Sequence, residues 1–305
     1  MIFYMKNPKI TVITSLFNCA QYLEGYFKCI ASLKYKDELE ILLLHNAPTD
    51  DEIRIIQSHL ALYPFLKHHI IKNREGLYAT WNRGIMLAKG DFIAIWNVDD
   101  IRLPLSFHLQ LEALNKNPEA VLAYGDFYYM YQYGIPSKDL VCNIDFKKSS
   151  KQFLRTFHIG CFPMWRKGIH KQMGYFDEQF KLVADYDFQI RVAINGCLVK
   201  SDGILGYYLE HVPGKLSANS FLQKKEQNVV YLRYGIYDLI NWVYWRVVFK
   251  YKINEVFFNN KMHPLSVFQE HRTKFLIMRT PLFFLSILKQ PRNVLSFFKH
   301  SILKK

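Results

Sequence analysis

The chain has 305 residues, half of them hydrophobic and 16% aromatic, which suffices for one large α/β domain with an appendage or for two small domains. Five scattered cysteines without a C-x-x-C pair argue against a zinc site or a disulfide framework, and we expect a cytosolic protein with neither a signal peptide nor a spanning helix. The formal net charge of +14 lies almost wholly in residues 215–305, which carry 16 Lys/Arg against 4 Asp/Glu and indicate a boundary near residue 215.

Strand and helix patterns alternate through the first hundred residues. Apolar, β-favouring runs predict strands at residues 9–15, 40–44, 68–71 and 90–98. Apolar residues spaced three or four apart predict helices at residues 22–33, 50–60 and 81–88. Thr49 or Asp50 is expected to cap the second helix, and Gly90 is expected to close the third. This alternation predicts a parallel sheet with right-handed crossovers.

The fourth strand runs directly into two adjacent carboxylates, Asp99 and Asp100. Ligands of open α/β sheets bind at the carboxyl ends of the strands, which is where these acids are expected to lie. Neighbouring carboxylates repel each other unless positive charge is close, and a divalent cation that carries a diphosphate would supply it. The plain structural alternative is that the acids cap the helix that follows.

Beyond the acids, the predicted elements are a helix at residues 106–114, a strand at 120–126, a helix at 167–173, a helix that opens at 184, and a strand at 206–210. Four tyrosines at positions 128, 129, 131 and 133 could line an edge strand or an acceptor groove. Tyrosines in such a row also pack in cores and sheet edges, and both interpretations stay open.

Two common phosphate-binding loops are missing from the sequence. The first strand is not followed by G-x-G-x-x-G, and G-x-x-x-x-G-K-[ST] does not occur. These absences argue against dinucleotide dehydrogenases and P-loop enzymes. A bound metal at Asp99 and Asp100 is then the expected way to hold phosphate.

Several ordered motifs between residues 9 and 217 resemble those of a family-2 inverting glycosyltransferase of the GT-A fold. The strand and turn at residues 15–23 and the loop at 45–50 resemble its first two motifs, the latter Asp-Asp-Gly-Ser-Thr-Asp in the family. Residues 73–76 and 82–84 resemble its Asn-x-Gly segments, and 97–100 resemble its Asp-x-Asp-Asp. Residues 184–191 and 211–217 resemble its Glu-Asp-x-Asp and His-Pro-Gly-Ser-x-Ser motifs.

This chain departs from the family pattern at four positions. His45 and Asn46 stand in place of the paired acids that hold the nucleotide base in the family. Asn97 replaces the first acid of Asp-x-Asp, and Ala184 replaces the Glu of the Glu-Asp pair. Asp185 is retained at the position of the family's base.

The resemblance implies a role for each matching residue. Asp185 is the expected catalytic base, and Asp99 with His211 is the expected ligand set for Mg²⁺ or Mn²⁺. The residues expected to bind the donor are Ser15, Asn46, Asn73, Asn82, Arg83, Asn97, Asp99 and Asp100. From the residues alone, Asp185 and Asp187 could equally be ordinary helix-start acids, Asn82 a helix-surface residue, and His211 a surface turn residue.

The resemblance implies a mostly parallel central sheet flanked by helices. It also implies transfer of a sugar from a nucleotide donor, which we expect to be UDP-linked, to a hydroxyl of a surface polysaccharide or lipid-linked glycan. A nucleotidyltransferase is one rival, although the loop after the first strand lacks the Gly-rich, Lys/Arg-bearing sequence such an enzyme needs. A non-catalytic module that binds sugar nucleotides or glycans is the other, and it would account for the missing acids.

We expect two domains, a GT-A domain at residues 1–217 and a helical, basic and aromatic region at 218–305. That region could pack on the catalytic domain or lie on an anionic membrane face, where each Lys/Arg near the surface contributes about 1 kcal/mol. The second interpretation predicts a peripheral location on the inner membrane face. Nucleic acid is not an expected partner, because no recognised binding module accompanies the positive charge.

Overall fold

The computed structural model describes residues 8–210, 220–234, 255–258 and 261–264. The chain divides into two compact units, Met1–Ser220 and Phe221–Lys305. The functional division at residue 217 stays a prediction, since the division into compact units says nothing of what each part does.

In chain order the strands are β1 Ile10–Leu16, β2 Leu39–Asn46, β3 Leu66–Ile71, β4 Phe92–Ile95, β5 Ile101–Arg102, β6 Ala120–Met130, β7 Leu140–Val141, β8 Met164–Arg166, β9 Cys197–Leu209, β10 Glu255–Phe258 and β11 Lys261–Pro264. The helices are α1 Ala20–Ser32, α2 Asp50–Leu60, α3 Leu77–Leu87, α4 Ser106–Lys116, α5 Phe146–Ser149, α6 His170–Met173, α7 Ala184–Asn195 and α8 Ser220–Tyr234.

Strands β1 to β9 form one sheet in the order β3-β2-β1-β4-β8-β6-β9-β5, with β7 paired to β6. The first four strands are parallel, as the alternation of strands and helices predicted. Strand β8 then runs antiparallel to both β4 and β6, and β9 runs parallel to β6. The expected α/β class, with a sheet flanked by helices, is confirmed.

Strands β1, β2 and β4 are buried on both faces because helices cover both. Val12 of β1 belongs to a buried cluster that includes Leu23 and Phe27 of α1 and Leu111 of α4. The next residue, Ile13, points to the opposite face and contacts α3. Such double burial explains why these strands appear in the sequence as continuous hydrophobic runs.

The helix caps agree only in part with the predictions. Thr49 caps α2 as expected, in a capping box with Glu52. The expected role of Gly90 is wrong, because α3 ends at Leu87 with Ala88 as its C-cap. A Cβ at Gly90 would lie 2.6 Å from the Thr11 backbone nitrogen, so the glycine permits close approach of the chain to β1.

The second half of the sheet differs from the simple elements predicted for it. The tyrosine row does not line an edge strand, because β6 lies inside the sheet between β8 and β9. The helix expected at residues 167–173 is a 3₁₀ turn, Lys167–Ile169, followed by the short α6.

In the second unit the described residues form helix α8 and an antiparallel pair, β10 with β11. Residues 255–258 and 261–264, where a helical region was expected, are therefore strands. Within the described ranges, we find no helix that combines the length and the apolar character needed to cross a bilayer.

Candidate functional site

The two adjacent acids at the carboxyl end of β4 have different environments. Asp100 is fully buried, and its Oδ1 accepts a hydrogen bond of 3.2 Å from the Leu209 backbone N–H. The Asn97 side-chain amide donates to its Oδ2 at 3.2 Å, and the Trp96 indole donates to its carbonyl at 2.9 Å. Asp99 is only partly buried. Asp100 thus fastens the turn, and Asp99 is the more accessible carboxylate.

A buried arginine lies behind this turn. Arg102 donates to Gln110 Oε1 at 2.8 Å and to the Ile95 carbonyl at 2.9 Å, and its guanidinium lies 4.2 Å from the centre of the Phe107 ring. Burial lowers the pKa of Arg102 to about 9, so the side chain stays cationic at neutral pH. Its charge interacts favourably with Asp100. The sequence offered no signal for this residue beyond its place two positions after the acid pair.

An asparagine at the end of β2 fixes the loop between β3 and α3. The Asn46 amide donates to the Glu75 carbonyl at 2.8 Å and to Thr80 Oγ1 at 3.2 Å, and its oxygen accepts from the Glu75 N–H at 3.0 Å. Arg83 donates twice to the Glu75 carboxylate, at 3.1 and 2.7 Å, which lowers the pKa of Glu75. Asn46 and Arg83 both shape this loop, and their direct contact with a donor stays a prediction.

Asn82 of α3 performs the same task for the segment that leads to α7. Its amide donates to the Phe176 carbonyl at 2.9 Å and to Glu178 Oε1 at 2.8 Å, while its oxygen accepts from the Phe176 N–H at 3.0 Å. The side chain is buried, with 5% exposure. Asn82 is therefore not the helix-surface residue that the sequence allowed, and donor contact stays a prediction.

Three further donor candidates lie at strand ends and loops. Ser15 is partly buried near the end of β1, Asn97 is partly buried in the turn after β4, and Asn73 is exposed after β3. Arg74, next to Asn73, places its guanidinium 3.9 Å from the centre of the Phe17 ring. This contact joins the loop after β3 to the loop after β1, so the predicted donor residues share one edge of the sheet.

A buried carboxylate that the sequence did not signal as functional joins two of these loops. Glu52 accepts hydrogen bonds from the backbone N–H groups of Cys19 and Thr49 and from the Thr49 hydroxyl. His45 donates to it from Nε2 at 3.1 Å, and the other ring nitrogen of His45 lies 3.0 Å from His68 Nε2. Burial by itself raises the pKa of Glu52, but these hydrogen bonds outweigh it and hold the value at about 2.

Glu52 thereby ties the turn after β1 to the turn after β2. His45, which stands where the family has an acid, is fully buried and bonded to Glu52. The capping box of α2 was visible in the sequence as Thr49 followed by Glu52. The bond to Cys19, 33 residues earlier, was not visible, because only the parallel pairing of β1 with β2 brings the two turns together.

Asp185 lies in the first turn of α7, where the helix dipole favours a negative charge. Its Oδ1 accepts from the Tyr186 N–H at 2.8 Å and from the Tyr78 hydroxyl at 3.3 Å. Burial and the charge of Asp185 raise the pKa of Tyr78, so the phenol keeps its proton. Asp187 is buried and pairs with Arg191 at 2.9 Å, four residues later in the same helix. Asp185 is the more exposed of the two acids.

The residues present fit a metal site that a ligand completes. Within the described part of the chain, we find no convergent group of three or more His, Cys, Asp or Glu side chains. Mg²⁺ is commonly held by one or two carboxylates together with the phosphate oxygens of a substrate, so a partly buried Asp99 meets that need. His211, the other expected ligand, lies outside the described residues.

Comparison with known proteins adds a family and a fold. The family model described as Glycosyl transferase family 2 matches residues 11–174, more than half of the chain. An uncharacterized glycosyltransferase of Methanocaldococcus jannaschii, MJ1057, is 26% identical over 297 residues, which cover 94% of this chain and 95% of that protein.

Two solved structures are similar in fold. S. aureus TarS 1–349 in complex with UDP-GlcNAc aligns with a TM-score of 0.60 at 17% identity, over 80% of this chain and 71% of its own. The mannosyltransferase PcManGT of Pyrobaculum calidifontis, in complex with GDP-Man and Mn²⁺, aligns with a TM-score of 0.57 at 15% identity, over 76% and 65%. Likeness at such identities carries the fold alone, and the expected GT-A fold is confirmed.

Proposed function

The chain belongs to glycosyl transferase family 2, and from this membership we propose that it is a metal-dependent, inverting enzyme. Its donor is a nucleoside diphosphate sugar, UDP-linked, and its acceptor is a hydroxyl of a surface polysaccharide or lipid-linked glycan. The observation that carries the proposal is the pair of partly buried acids, Asp99 after β4 and Asp185 at the start of α7, in the family's metal and base positions.

Asp99 would hold the Mg²⁺ or Mn²⁺, with His211 as a second proposed ligand. When bound, the metal supplies positive charge to the diphosphate leaving group. Support comes from the turn itself, since Asp100, Asn97 and Trp96 fix its backbone through buried hydrogen bonds. A preorganised ligand avoids the cost of ordering a loop when the donor arrives. Of the two similar structures, one is a complex with a UDP-sugar and the other a complex with a GDP-sugar and Mn²⁺.

Asp185 would act as the general base. The acceptor oxygen attacks the anomeric carbon from the face opposite the diphosphate, its proton passes to the Asp185 carboxylate, and the bond to the diphosphate oxygen breaks. Displacement from the opposite face inverts the anomeric centre. The N-terminus of α7 and the Tyr78 hydroxyl favour the ionised carboxylate, which is the form that accepts a proton.

The donor contacts proposed for Ser15, Asn73 and Asn97 are supported by their shared edge of the sheet. Asn46, Asn82, Arg83 and Asp100 would act mainly by holding the loops that surround the donor, given the hydrogen bonds described above. For the C-terminal region we propose peripheral contact with an anionic membrane surface of the cytoplasm, supported by the 16 Lys/Arg against 4 Asp/Glu of residues 215–305.

The test is nucleotide release from a panel of UDP-, GDP- and dTDP-sugars, with Mn²⁺ and with EDTA. We expect release with Mn²⁺ from one donor and loss of release with EDTA. Asp185→Asn should keep donor binding and lose about 10²–10⁴-fold in transfer, the usual contribution of a general base. Asp202→Asn, which alters an exposed carboxylate of β9, is the matched control and should transfer normally.

Normal turnover by Asp185→Asn would refute the assignment of the base. Equal release in EDTA would refute the dependence on metal. If no donor in the panel released its nucleotide, with or without acceptors, the chain would instead be a non-catalytic relative that binds sugar nucleotides, the rival that the replaced acids at positions 45, 46, 97 and 184 allow.

A further inference from the structure

Three tyrosines at the carboxyl ends of β6 and β9 form a partly exposed aromatic surface, here called the tyrosine face: Tyr129, Tyr131 and Tyr208. The ring centres of Tyr129 and Tyr131 are 6.2 Å apart with planes inclined by 28°, and those of Tyr129 and Tyr208 are also 6.2 Å apart. Tyr131 is 49% exposed, and the other two are partly buried. The proposed mechanism uses none of the three.

Hydrogen bonds hold the tyrosine face in place. The Tyr131 hydroxyl donates to Asp139 Oδ2 at 2.8 Å, and the Tyr129 N–H donates to the Asp139 carbonyl at 2.9 Å. Ser137 donates its hydroxyl to the Tyr129 carbonyl at 2.7 Å. Because these contacts already order the segment, the tyrosine side chains lose little additional conformational entropy when a ligand stacks on them.

The inner side of the tyrosine face packs on a small core. Phe127, Phe162 and Leu205 form this core, and Tyr129, Tyr208 and Cys161 pack against it. Phe127 lies 6.1 Å from Tyr208 between ring centres. The core therefore supports Tyr129 and Tyr208 from one side, while Tyr131 keeps 49% exposure at the end of the row.

The segment 157–162 connects this core to the proposed base. Its first residue, Phe157, lies 6.3 Å from Tyr186 between ring centres, next to Asp185. The backbone N–H groups at positions 158 and 159 donate to Gln189 Oε1 of α7 at 2.6 and 3.0 Å. Five residues after Phe157, the segment reaches the core under the tyrosine face at Phe162. The segment thus joins α7, which carries the proposed base, to the core on which the tyrosine face packs.

A second connection runs to the acid turn. The Leu209 N–H donates to Asp100, and the next N–H, of Glu210, donates to the Met130 carbonyl at 2.9 Å. The tyrosine face therefore ends where the strands meet the turn that carries Asp99. Burial and then the charge of Glu210 raise the pKa of Tyr129.

We propose that the tyrosine face is the acceptor subsite and that it takes the pyranose rings of a glycan. The proposal rests on the proposed function, since it names the acceptor side of that same site. The apolar C–H face of a sugar ring stacks on a tyrosine ring, and the sugar hydroxyls bond to the phenols and to the Glu210 carboxylate. A chain of sugars would run from the face toward Asp185, where its terminal hydroxyl reacts.

The charges around the tyrosine face favour a glycan over an anionic membrane. Asp139 bonds to Tyr131, and the Glu210 N–H bonds to the carbonyl of Met130, the residue that follows Tyr129. Carboxylates repel anionic lipid headgroups, whereas they accept hydrogen bonds from sugar hydroxyls. Tyrosine also presents an apolar body with a polar end, which suits a ligand whose ring faces are apolar and whose rim is polar.

The test uses the full chain on a glycan array of bacterial and plant pyranose oligosaccharides, in the presence of UDP and Mn²⁺. We expect the wild type to bind a subset of these glycans and Tyr131→Ser to bind the same subset about tenfold more weakly. Tyr131→Phe keeps the ring and should retain most of the binding. Tyr35→Ser removes another exposed tyrosine, 52% exposed at a 3₁₀ turn, and is the matched control.

Each result either supports or overturns the proposal. Binding by the wild type that weakens only with Tyr131→Ser supports it. No binding to any glycan, or equal weakening by Tyr35→Ser, overturns it. Retention on anionic vesicles that Tyr131→Ser abolishes would assign the face to a membrane and also overturns it. Donor hydrolysis by the wild type is measured in parallel: hydrolysis without binding to any glycan would overturn the acceptor subsite while the proposed function stands.

Discussion

The sheet has two regions that are held together in different ways. In the parallel region, β1 to β4 with their loops, buried side chains such as Glu52 and Asn46 bond one loop to the next. In the mixed region, β6 to β9, antiparallel and parallel pairs occur together, and the register of β6 with β9 shifts three times. The tyrosine face belongs to this second region. We infer that buried side-chain hydrogen bonds fix the loops of the proposed donor side, whereas the proposed acceptor side presents partly exposed tyrosine rings.

The largest expected effect comes from removing the Glu52 carboxylate, which lies at the centre of the hydrogen bonds of the parallel region. Glu52→Ala leaves His45 and the backbone N–H groups of Cys19 and Thr49 without an acceptor in the core, so we expect a loss of about 3–5 kcal/mol in the free energy of unfolding. Urea unfolding measures it. Glu24→Ala changes an exposed acid of the neighbouring α1 and should leave stability nearly unchanged. Similar losses for both variants would mean that Glu52 is not central.

The same carboxylate predicts a pH dependence. The folded-state pKa of Glu52 is about 2 against an ordinary 4.5, so its ionised form contributes stability that is fully present above about pH 4.5. That contribution is lost as the pH falls through about 2. Unfolding of wild type and Glu52→Gln is compared at pH 7, 4.5 and 3. We expect the difference between their free energies of unfolding to become smaller at pH 3. A difference that stays constant would contradict the lowered pKa of Glu52.

Two asparagines offer a sharper comparison of the regions. Asn46→Ala frees the loop after β3, and Asn82→Ala frees the segment that leads to α7. Each leaves a buried N–H and carbonyl unpaired, at about 1–3 kcal/mol of stability. We expect Asn46→Ala to raise KM for the donor and Asn82→Ala chiefly to lower kcat, because α7 carries the proposed base. Steady-state kinetics with the donor varied separates them, and an identical pattern would remove the distinction.

A glycine of α1 tests the contact between the regions. A Cβ at Gly25 would lie 2.4 Å from the ring of Tyr133, so Gly25→Ala must displace that ring. Overpacking costs about 1–3 kcal/mol, and alanine in a helix returns about 0.8–1 kcal/mol, so we expect a net loss of about 1 kcal/mol. In a Tyr133→Ala background the same change should stabilise. A double-mutant cycle by thermal unfolding measures the coupling, and additive effects would show that the ring moves freely.

The smallest expected effect concerns the ion pair of Arg83 with Glu75, in which the arginine side chain is 47% exposed. Exposed pairs contribute about 0.2–1 kcal/mol and weaken with salt, so Arg83→Gln should cost about 0.5 kcal/mol at low salt and less at high salt. Urea unfolding at two salt concentrations measures it. A larger loss that salt leaves unchanged would place the pair among the buried bonds of the parallel region.

The sequence predicted the parallel region well because its signals are local. Hydrophobic runs, helical spacing and the capping box at Thr49 each involve residues close together in the chain, and β1 to β4 lie within one or two residues of most expected bounds. The position of the acids at the end of β4 followed from the same reasoning. The family motifs then indicated which polar residues to examine.

What the sequence could not provide are bonds between distant residues. Nothing local pairs Cys19 with Glu52, or Asn82 with Phe176, which lie 33 and 94 residues apart. In the mixed region an edge strand was one of the interpretations left open for the tyrosine row. The spacing of the tyrosines does not reveal that β8 and β9 lie on either side of β6. Gly90 looked like a helix end because its actual constraint, the backbone of β1, lies 79 residues earlier in the sequence.

The reciprocal bonds of Asn46 with Glu75 constrain any attempt to introduce the family's acid at position 46 of this chain. An aspartate there has nearly the same shape but no hydrogen to donate, so it would set a carboxylate against the Glu75 carbonyl oxygen. This single substitution would therefore push the loop away instead of creating a base contact. An engineer who wants an acid at this position must redesign residues 75 and 83 along with it.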